Sequence, residues 1–478
     1  MANTITIEPV TRIEGHAKVT IRVDDAGKVS EARMHVNEFR GFEKFCEGRL
    51  FFEMPLITQR ICGICPVSHH LASTKACDAI VGLEVPRPAG LLRELMHMGQ
   101  FIQSHALHLF HLASPDLLLG FDADPAIRNV VGVIGANPEL ALKGVGLRKY
   151  GQEVIRKLGG KRIHPFDGAS PTSMNKGLSA ADREELRRGI DRVVGDFQQA
   201  VAVVKGYAAQ NESLMSSFAT FPSGYMGLVD GKGQLELYDG RIRLLGPDLK
   251  PWEPDFAPAD YLKHIGEHVE DWSYLKFPFY RKLGYPAGTY RVGPLARLNL
   301  CRGISTPLAR AEWKQFKALG SGGAVEGSLF FHLARVIEGL FAAERARELL
   351  DDSDITVSET ITLGPVKNAA GVGVVEAPRG TLIHNYWVDE NGRLEKVNLI
   401  VSTGHNNWAM NRAVNEVAKA FVDGSRLTEG MLNRVEAAIR CYDPCLSCST
   451  HAIGQMPLVL ELEGPDGRVM DRKARGGG

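Results

Sequence analysis

Two Cys-x-x-Cys pairs are the residues whose types and spacing best suit chemistry. One is Cys62-Gly63-Ile64-Cys65 and the other is Cys445-Leu446-Ser447-Cys448. Two residues between thiolates let both sulfurs turn toward one ion, so two pairs can supply a tetrahedral sulfur site. The pairs lie 380 positions apart (445 minus 65), whereas a small zinc knuckle keeps its ligands within a few tens of residues. This separation predicts a site at the centre of a large fold.

A four-cysteine set is also what a structural zinc site or an iron–sulfur cluster uses. The flanks of the two pairs carry more ionisable groups than a closed structural site needs, namely Arg60, His69, Asp443 and His451. These flanks favour an enzyme interior. The non-enzyme alternative is a structural or assembly protein with a four-cysteine zinc site.

Glu14, Glu43, Arg379 and His451 would not stand out alone, because each could be an ordinary surface residue. The glycine-rich stretches 320–325 and 371–376 lack the third glycine of a dinucleotide fingerprint, and there is no Walker A motif. If a nucleotide takes part, we expect another chain to bind it.

The composition is that of a globular protein. Of the 478 residues, 44% are apolar and 23% are charged, and the formal net charge is zero, which gives no reason to expect nucleic acid or an anionic membrane as a partner. We find no apolar run of about 18 residues, so we expect no transmembrane helix. The start of the chain lacks the layout of a signal peptide. Free Cys-x-x-Cys pairs favour a reducing compartment, and we expect a cytoplasmic protein.

Periodicity predicts an α+β fold, with a mostly helical core of long buried helices and small antiparallel sheets. We expect helices at about 66–80, 88–113, 179–215, 307–318, 326–350 and 428–440, and hairpins at 18–36 and 381–401. Residues 1–451 would form one intertwined unit with the buried site between its two Cys-x-x-Cys segments. Its parts would be an N-terminal sheet (1–45), a long-helix core (60–220), a strand region (372–401), and a C-terminal helix with the ligand segment (428–451).

Five stretches together resemble the large, catalytic subunit of nickel–iron hydrogenases. They are Arg12–His16, Phe39–Glu43, Arg60–Cys65 with His69, Ala377–Gly380 and Asp443–His451. They run from one end of the chain to the other. Residues 39–44, 67–70 and 443–457 most resemble the cytoplasmic, bidirectional, NAD-reducing type.

The resemblance implies that four thiolates hold a Ni–Fe centre whose iron carries CO and cyanide. Cys62 and Cys445 would be terminal ligands of nickel, and Cys65 and Cys448 would bridge the metals. The reaction would be reversible heterolytic cleavage of H2 into protons and electrons. In it, the thiolate of Cys445 would take the proton and pass it to Glu14.

The same resemblance implies roles for residues around the centre. Arg379 and Pro378 would line the pocket of the diatomic ligands, with Thr403 as a second donor to cyanide. His69 would hydrogen-bond a bridging cysteine. Glu43, the main-chain carbonyl of Leu399 and His451 would hold Mg²⁺.

The implied partners are a small Fe–S subunit that takes the electrons and diaphorase subunits that carry flavin and bind NAD. The alternative is the same chemistry with another cytoplasmic acceptor, either a deazaflavin or a disulfide reductase partner. In the family, a maturation protease removes a C-terminal extension after nickel-insertion proteins have acted. Residues 452–478 would be such an extension, and residues 457–462 and 468–470 would form a hairpin within it.

Overall fold

Sixteen helices build the core of the computed structural model, which describes residues 3–362, 365–450, 458–463 and 469–475. The four longest pack together, with α4 against α6 and α12, and α12 against α7. The helices are α1 Phe42–Cys46, α2 Met54–Thr58, α3 Pro66–Val81, α4 Arg87–Leu107, α5 Val130–Ala136, α6 Pro138–Gly159, α7 Ala180–Gln210, α8 Glu212–Ser217, α9 Tyr261–His264, α10 Pro294–Leu300, α11 Pro307–Ala318, α12 Phe330–Asp351, α13 Ser402–His405, α14 Asn407–Phe421, α15 Glu429–Cys441 and α16 Leu446–Ser449.

Small sheets surround this helical core. The strands are β1 Asn3–Ile7, β2 Lys18–Val23, β3 Val29–His35, β4 Ala169–Ser170, β5 Ser173–Met174, β6 Gly224–Val229, β7 Arg241–Leu245, β8 Ile265–His268, β9 Phe277–Tyr280, β10 Tyr290–Arg291, β11 Ala370–Ala377, β12 Gly380–Val388, β13 Leu394–Ile400, β14 Leu458–Glu463 and β15 Val469–Arg475. The sheets β1-β2-β3 and β11-β12-β13 are antiparallel, and β10 pairs with β6 in parallel. The predicted α+β fold class is confirmed.

Local sequence explains where the helices next to the site begin. Pro66, which follows Cys65, occupies the first turn of α3, where proline needs no hydrogen-bond partner for its nitrogen. The side chain of Thr428 caps α15 by accepting a hydrogen bond from the Met431 N–H. Each of these two helices therefore has a defined start, and each runs to or from one cysteine pair.

The strand β11 lies directly on α3. A Cβ atom at Gly371 would lie 2.1 Å from the Ala76 carbonyl oxygen, and one at Gly373 would lie 2.0 Å from that of Ala72. Only glycine permits this approach. It brings the turn after β11, at Pro378-Arg379, close to the N-terminus of α3, where Cys65 stands.

Most predicted elements agree with the structure, and the exceptions have physical reasons. The helix expected at 88–113 is α-helical to Leu107 and continues as π-helix over His108–Ala113 and Pro115–Leu119. Pro115 cannot donate a hydrogen bond to the preceding turn. The helices α6 and α14 were not predicted. The predicted tail hairpin forms, as β14 pairs antiparallel with β15, while its turn at 464–467 lies outside the described residues.

Candidate metal centre

The four predicted cysteines meet in one buried cluster. Their sulfur atoms all lie within 4.8 Å of one another, with Cys62 Sγ 3.3 Å from Cys445 Sγ and Cys65 Sγ 3.7 Å from Cys448 Sγ. All four side chains are buried. The cluster is thus built from one residue of each pair facing one residue of the other.

Two segments from opposite ends of the chain deliver these sulfurs. The 3₁₀ turn Gln59–Ile61 precedes Cys62, and α3 follows Cys65. On the other side α15 ends at Cys441, and the short helix α16 carries Cys448. A parallel β-bridge between Glu14 and Cys445 ties the N-terminal segment to this loop.

The thiols differ in acidity. Burial raises the pKa of Cys445 and of Cys448 well above the usual range of a thiol. Burial also opposes ionisation of Cys62, but hydrogen bonds with Cys445, Cys448 and Cys65 lower its pKa well below that range. The Ile64 and Cys65 N–H groups also point at Cys62 Sγ, at 3.2 and 3.3 Å. One sulfur is thus prepared as a thiolate, and a metal would displace the remaining protons.

Arg379 enters a small cavity beside the sulfurs. Its Nε donates to the Asp443 carbonyl oxygen at 2.6 Å, and its Nη2 donates to Asp443 Oδ1 at 3.1 Å. Its Nη1 and Asp443 Oδ2 are buried without a hydrogen-bond partner. The cavity is lined by Cys65, His69, Ala377, Arg379, Leu382, Val401, Ser402, Thr403, Cys445 and Cys448. A buried guanidinium nitrogen without a partner at such a place indicates a missing acceptor.

Two neighbouring hydroxyls at this cavity differ in their use. Ser402 Oγ donates to the Gly380 carbonyl oxygen at 2.7 Å. Thr403 Oγ1 accepts the Cys445 N–H at 2.9 Å, which leaves the hydroxyl hydrogen of Thr403 for another acceptor. Thr403 is therefore the better donor toward the cavity.

Glu14 lies against the second cysteine loop. Its carbonyl oxygen accepts the Leu446 N–H at 3.1 Å, and its carboxylate Oε2 accepts the Ser447 N–H at 3.1 Å. A Cβ atom at Gly15, whose φ is +80°, would lie 2.8 Å from Leu446 Cβ. The backbone contact therefore needs glycine, and it holds the Glu14 carboxylate beside the residues that follow Cys445.

His69 belongs to a buried polar chain. Its Nδ1 lies 3.2 Å from His384 Nε2, and His384 Nδ1 lies 2.6 Å from the Tyr386 hydroxyl. That hydroxyl donates to Ser73 Oγ at 2.9 Å. The chain fixes the plane of the His69 ring at the cavity wall. The sequence analysis did not include His384, which is an inward residue of β12 without a motif of its own.

The predicted magnesium ligands are partly placed. Glu43 Oε1 accepts the Leu399 N–H at 2.7 Å, so these two residues do meet. His451 lies outside the described residues, but the carbonyl oxygen of Thr450 before it accepts the Arg40 N–H at 2.8 Å. The chain at 450 therefore comes within hydrogen-bonding reach of the segment that carries Glu43.

The donor set fits a soft transition metal with further ligands better than a closed zinc site. Four thiolate sulfurs suit either. A closed zinc site needs neither an adjoining cavity nor a buried, unpartnered guanidinium nitrogen, and this site has both. The unpartnered Nη1 of Arg379 fits a small acceptor bound next to the metal-binding sulfurs.

Family models match most of the chain. A model described as "HoxL-like" matches residues 4–39, and a model described as "Nickel-dependent hydrogenase" matches residues 40–126 and 238–451. Among curated proteins, the "NAD-reducing hydrogenase HoxS subunit beta" of Cupriavidus necator is 44% identical over 99% of this chain and 100% of its own. A subunit of the F420-non-reducing hydrogenase vhu of Methanocaldococcus jannaschii is 46% identical over 87% of this chain and 99% of its own.

Solved structures agree. A crystal structure of an NAD⁺-reducing NiFe-hydrogenase in the H2-reduced state is 45% identical, with a TM-score of 0.91, over 94% of this chain and 99% of that chain. A Ni-Fe-Se hydrogenase from D. vulgaris Hildenborough shares the fold, with 24% identity and a TM-score of 0.77 over 94% and 100% of the two chains. No helix among the described residues is long and apolar enough to cross a membrane.

Proposed function

This chain belongs to the nickel-dependent hydrogenase family, and on that premise we propose that it is the catalytic subunit of a cytoplasmic hydrogenase that passes electrons from H2 to NAD⁺. The observation that carries this proposal is the buried cluster of four sulfurs within 4.8 Å, joined to a cavity that Arg379 enters. The reaction is the heterolytic cleavage of H2, in either direction.

The cysteines divide by their place around the cavity. Cys65 and Cys448 line it, while Cys62 does not. This arrangement supports iron on the cavity side, with Cys65 and Cys448 bridging to nickel, and with Cys62 and Cys445 as terminal ligands of nickel. Soft thiolates suit both metals.

The cavity suits small diatomic ligands of iron, CO and cyanide. The unpartnered Nη1 of Arg379 is the donor for one cyanide, and the hydroxyl hydrogen of Thr403 is the donor for the other. Pro378, which precedes Arg379, adds an apolar wall. His69 Nδ1 can accept a hydrogen bond from His384 Nε2, which leaves the Nε2–H of His69 to donate to a bridging sulfur.

The bound metals would supply the Lewis acidity and the redox chemistry that polarise and split H2. The protein's own residues move the proton. Cys445 Sγ accepts it, because the sulfur is held in the cluster by its main-chain bond to Thr403. The Glu14 carboxylate, tied to the Ser447 N–H, carries it away from the loop.

Glu43, the Leu399 carbonyl and His451 would hold Mg²⁺, with the two oxygen ligands suited to this hard cation. The contact between Glu43 and Leu399 supports this assignment. The ion would brace the C-terminal ligand loop against β13 rather than take part in the reaction.

The electrons need a partner. Among the described residues, the four-cysteine cluster is the only group of three or more side chains that could hold a metal. We therefore propose that a small Fe–S subunit takes the electrons and that flavin-bearing diaphorase subunits reduce NAD⁺. Similarity to the Cupriavidus NAD-reducing protein over 99% of the chain supports this acceptor.

Residues 452–478 would be a maturation extension. The solved NAD⁺-reducing relative matches 94% of this chain, and the curated one matches 99%. A chain that ended at residue 451 would be 94% of the 478 residues, which supports removal of the tail by a protease after nickel insertion.

An infrared spectrum of the purified complex, with nickel and iron counted in the same sample, tests the proposal. We expect CO and cyanide bands, about one nickel per chain, and H2-dependent reduction of NAD⁺. Zinc in the cluster without those bands would overturn it. Bands together with H2-dependent reduction of a deazaflavin or a disulfide reductase, but not of NAD⁺, would keep the chemistry and change the acceptor.

A further inference from the structure

A second charged cluster lies inside the protein and contains none of the predicted site residues. Arg297 donates through Nε to Glu338 Oε1 at 2.6 Å and through Nη2 to Glu338 Oε2 at 2.5 Å. Its Nη1 donates to Glu376 Oε2 at 2.5 Å. The side chains of all three residues have no solvent exposure.

Both carboxylates have further partners. His105 Nε2 lies 2.8 Å from Glu338 Oε2. Glu376 Oε1 accepts from the Thr381 hydroxyl at 2.8 Å and from the Leu228 N–H at 2.9 Å. The cluster therefore joins helices α4, α10 and α12 to strands β6, β11 and β12 at one point, and each carboxylate oxygen is hydrogen-bonded.

The same guanidinium reaches the main chain directly before Arg379. Its Nη1 donates to the Ala377 carbonyl oxygen at 3.1 Å, and its Nη2 lies 3.4 Å from that of Pro378. At the start of α10, a Cβ atom at Gly293 would lie 2.8 Å from the Arg379 carbonyl oxygen. The turn at 377–379 is thus pressed onto α10 and held by Arg297.

Stability alone is a poor reason for such a cluster. Apolar residues of similar volume often stabilise a protein as well as a buried ion pair does. A buried ionic network does, however, specify position, because each hydrogen bond fixes a direction. The position specified here is that of the main chain from which the Arg379 side chain starts.

We propose that Arg297 is a positioning residue of the metal centre: held by Glu338 and Glu376, it fixes the Ala377–Pro378 main chain and so aims the Arg379 guanidinium into the cavity. The inference rests on the proposed function. Arg297 acts only through Arg379, so its effect appears in the surroundings of the iron ligands rather than in proton transfer.

The test compares Arg297→Lys with Arg93→Lys in the purified complex. Arg93 is a close match, because its guanidinium is also buried, pairs with both oxygens of Asp78, and donates to the carbonyl oxygens of Ser170 and Ser173. None of these residues lines the cavity. Both substitutions keep a positive charge and remove the forked hydrogen bonds.

We expect the cyanide infrared bands of Arg297→Lys to shift by more than their wild-type width, and we expect a crystal structure of the variant to show Arg379 Nη1 displaced. The bands of Arg93→Lys should coincide with the wild type, although its thermal stability falls. Coincident bands and an unmoved Arg379 in Arg297→Lys would overturn the inference, and so would an equal shift in Arg93→Lys.

A milder change covers failure of Arg297→Lys to assemble. Thr381→Val removes one hydrogen bond to Glu376 and leaves every charge in place. It should shift the bands in the same direction by a smaller amount, and unmoved bands there would count against the inference. A wild-type complex without cyanide bands would instead contradict the proposed function, so the two failures are distinguishable.

Discussion

Cys441 and Cys445 are four residues apart and both are buried, yet only one belongs to the cluster. Cys445 Sγ lies 3.3 Å from Cys62 Sγ, whereas Cys441 Sγ lies 3.7 Å from His332 Nε2. Cys445→Ser replaces a soft sulfur with a hard hydroxyl oxygen, so we expect nickel per chain to fall at least ~10-fold and H2 oxidation to be lost. Metal analysis of the purified complex measures this.

Cys441→Ser is the matched control for that prediction. It removes a buried sulfur from the same segment without removing a ligand, so nickel content should remain at the wild-type level. Full nickel occupancy in Cys445→Ser would contradict the ligand assignment. A similar loss of nickel in both variants would show that the segment responds to any cysteine change.

Glu14 should matter for proton transfer and not for metal binding. Its carboxylate is held by the Ser447 N–H at 3.1 Å, and glutamine can keep that bond but cannot carry a proton. We expect Glu14→Gln to slow both H2 oxidation and D2–water exchange by about 10²–10⁴-fold, the usual contribution of a positioned acid–base group. Nickel content and the infrared bands should be unchanged.

Glu8→Gln tests whether any nearby carboxylate would have the same effect. Glu8 is 53% exposed and pairs with Lys18, so its loss should change either rate by less than about twofold. Exchange at the wild-type rate in Glu14→Gln would exclude Glu14 as the proton carrier. Loss of nickel in that variant would give Glu14 a structural role.

The predictability of individual residues depended on motifs. The cysteines, Glu14 and Arg379 stand in short, specific stretches, and the structure brings the four sulfurs together as expected. Asp443 was noted only as an ionisable neighbour, and its pairing with Arg379 could not be inferred, because the two residues lie 64 positions apart. Arg297 and Glu338 stand in ordinary helical sequence, where a charged residue usually indicates a solvated face.

At the level of elements, a buried ionic knot fixes the N-terminal segment to the helix that leads to the second cysteine pair. Asp116 pairs with Arg12 at 2.5 Å and with Arg440 of α15 at 2.5 Å. Removing one partner of a buried pair costs about 3–5 kcal/mol. In Asp116→Asn, we expect amide hydrogen exchange in α15 to accelerate at least about 100-fold at pH 7.

The effect should depend on pH in a defined direction. Burial would raise the pKa of Asp116, but the charges of Arg440 and Arg12 outweigh it and hold that pKa below its usual value. A carboxylate with a lowered folded-state pKa stabilises the fold above its unfolded pKa of about 3.9 and loses that contribution as pH falls through the folded value. The wild-type and Asp116→Asn exchange rates, compared at equal pH, should converge only below about pH 4.

Asp122→Asn is the control for the ionic knot. Asp122 also pairs with an arginine of α15, Arg434, but its side chain is 70% exposed. A solvent-exposed pair contributes about 0–1 kcal/mol, so exchange in α15 should change by less than about fivefold. Equal acceleration in the two variants would show that burial of Asp116 has no special weight.

Elements were predictable where the sequence marks their ends. The starts of α3 at Pro66, α7 at Ser179 and α15 at Thr428 all agree with capping or proline signals. The helix α6 was missed although Asn137 caps it, since its exposed Leu142 and Val145 blur the amphipathic pattern. Tertiary packing, rather than local pattern, decides such a segment.

At the scale of the whole molecule, the site exists only because the two ends of the chain meet. Glu14 pairs with Cys445 in a β-bridge, and Arg40 bonds to the carbonyl oxygen of Thr450. The carbonyl of Thr450 also receives the Gly41 N–H at 3.3 Å. The last ligand loop is therefore seated by residues 14–41, and anything attached after residue 451 leaves the fold directly beside this seat.

This placement leads to a prediction about maturation. An attached tail of 27 residues (478 minus 451) would hold residue 451 away from Glu43 and leave Cys445 and Cys448 accessible for metal insertion. We expect mass spectrometry of the active complex to find a chain that ends at residue 451. The uncleaved chain should be confined to a form without H2 oxidation, and adding the cell's maturation extract to that form should shorten the chain and raise activity together. An active complex whose large subunit retains all 478 residues would show that the tail does not control closure.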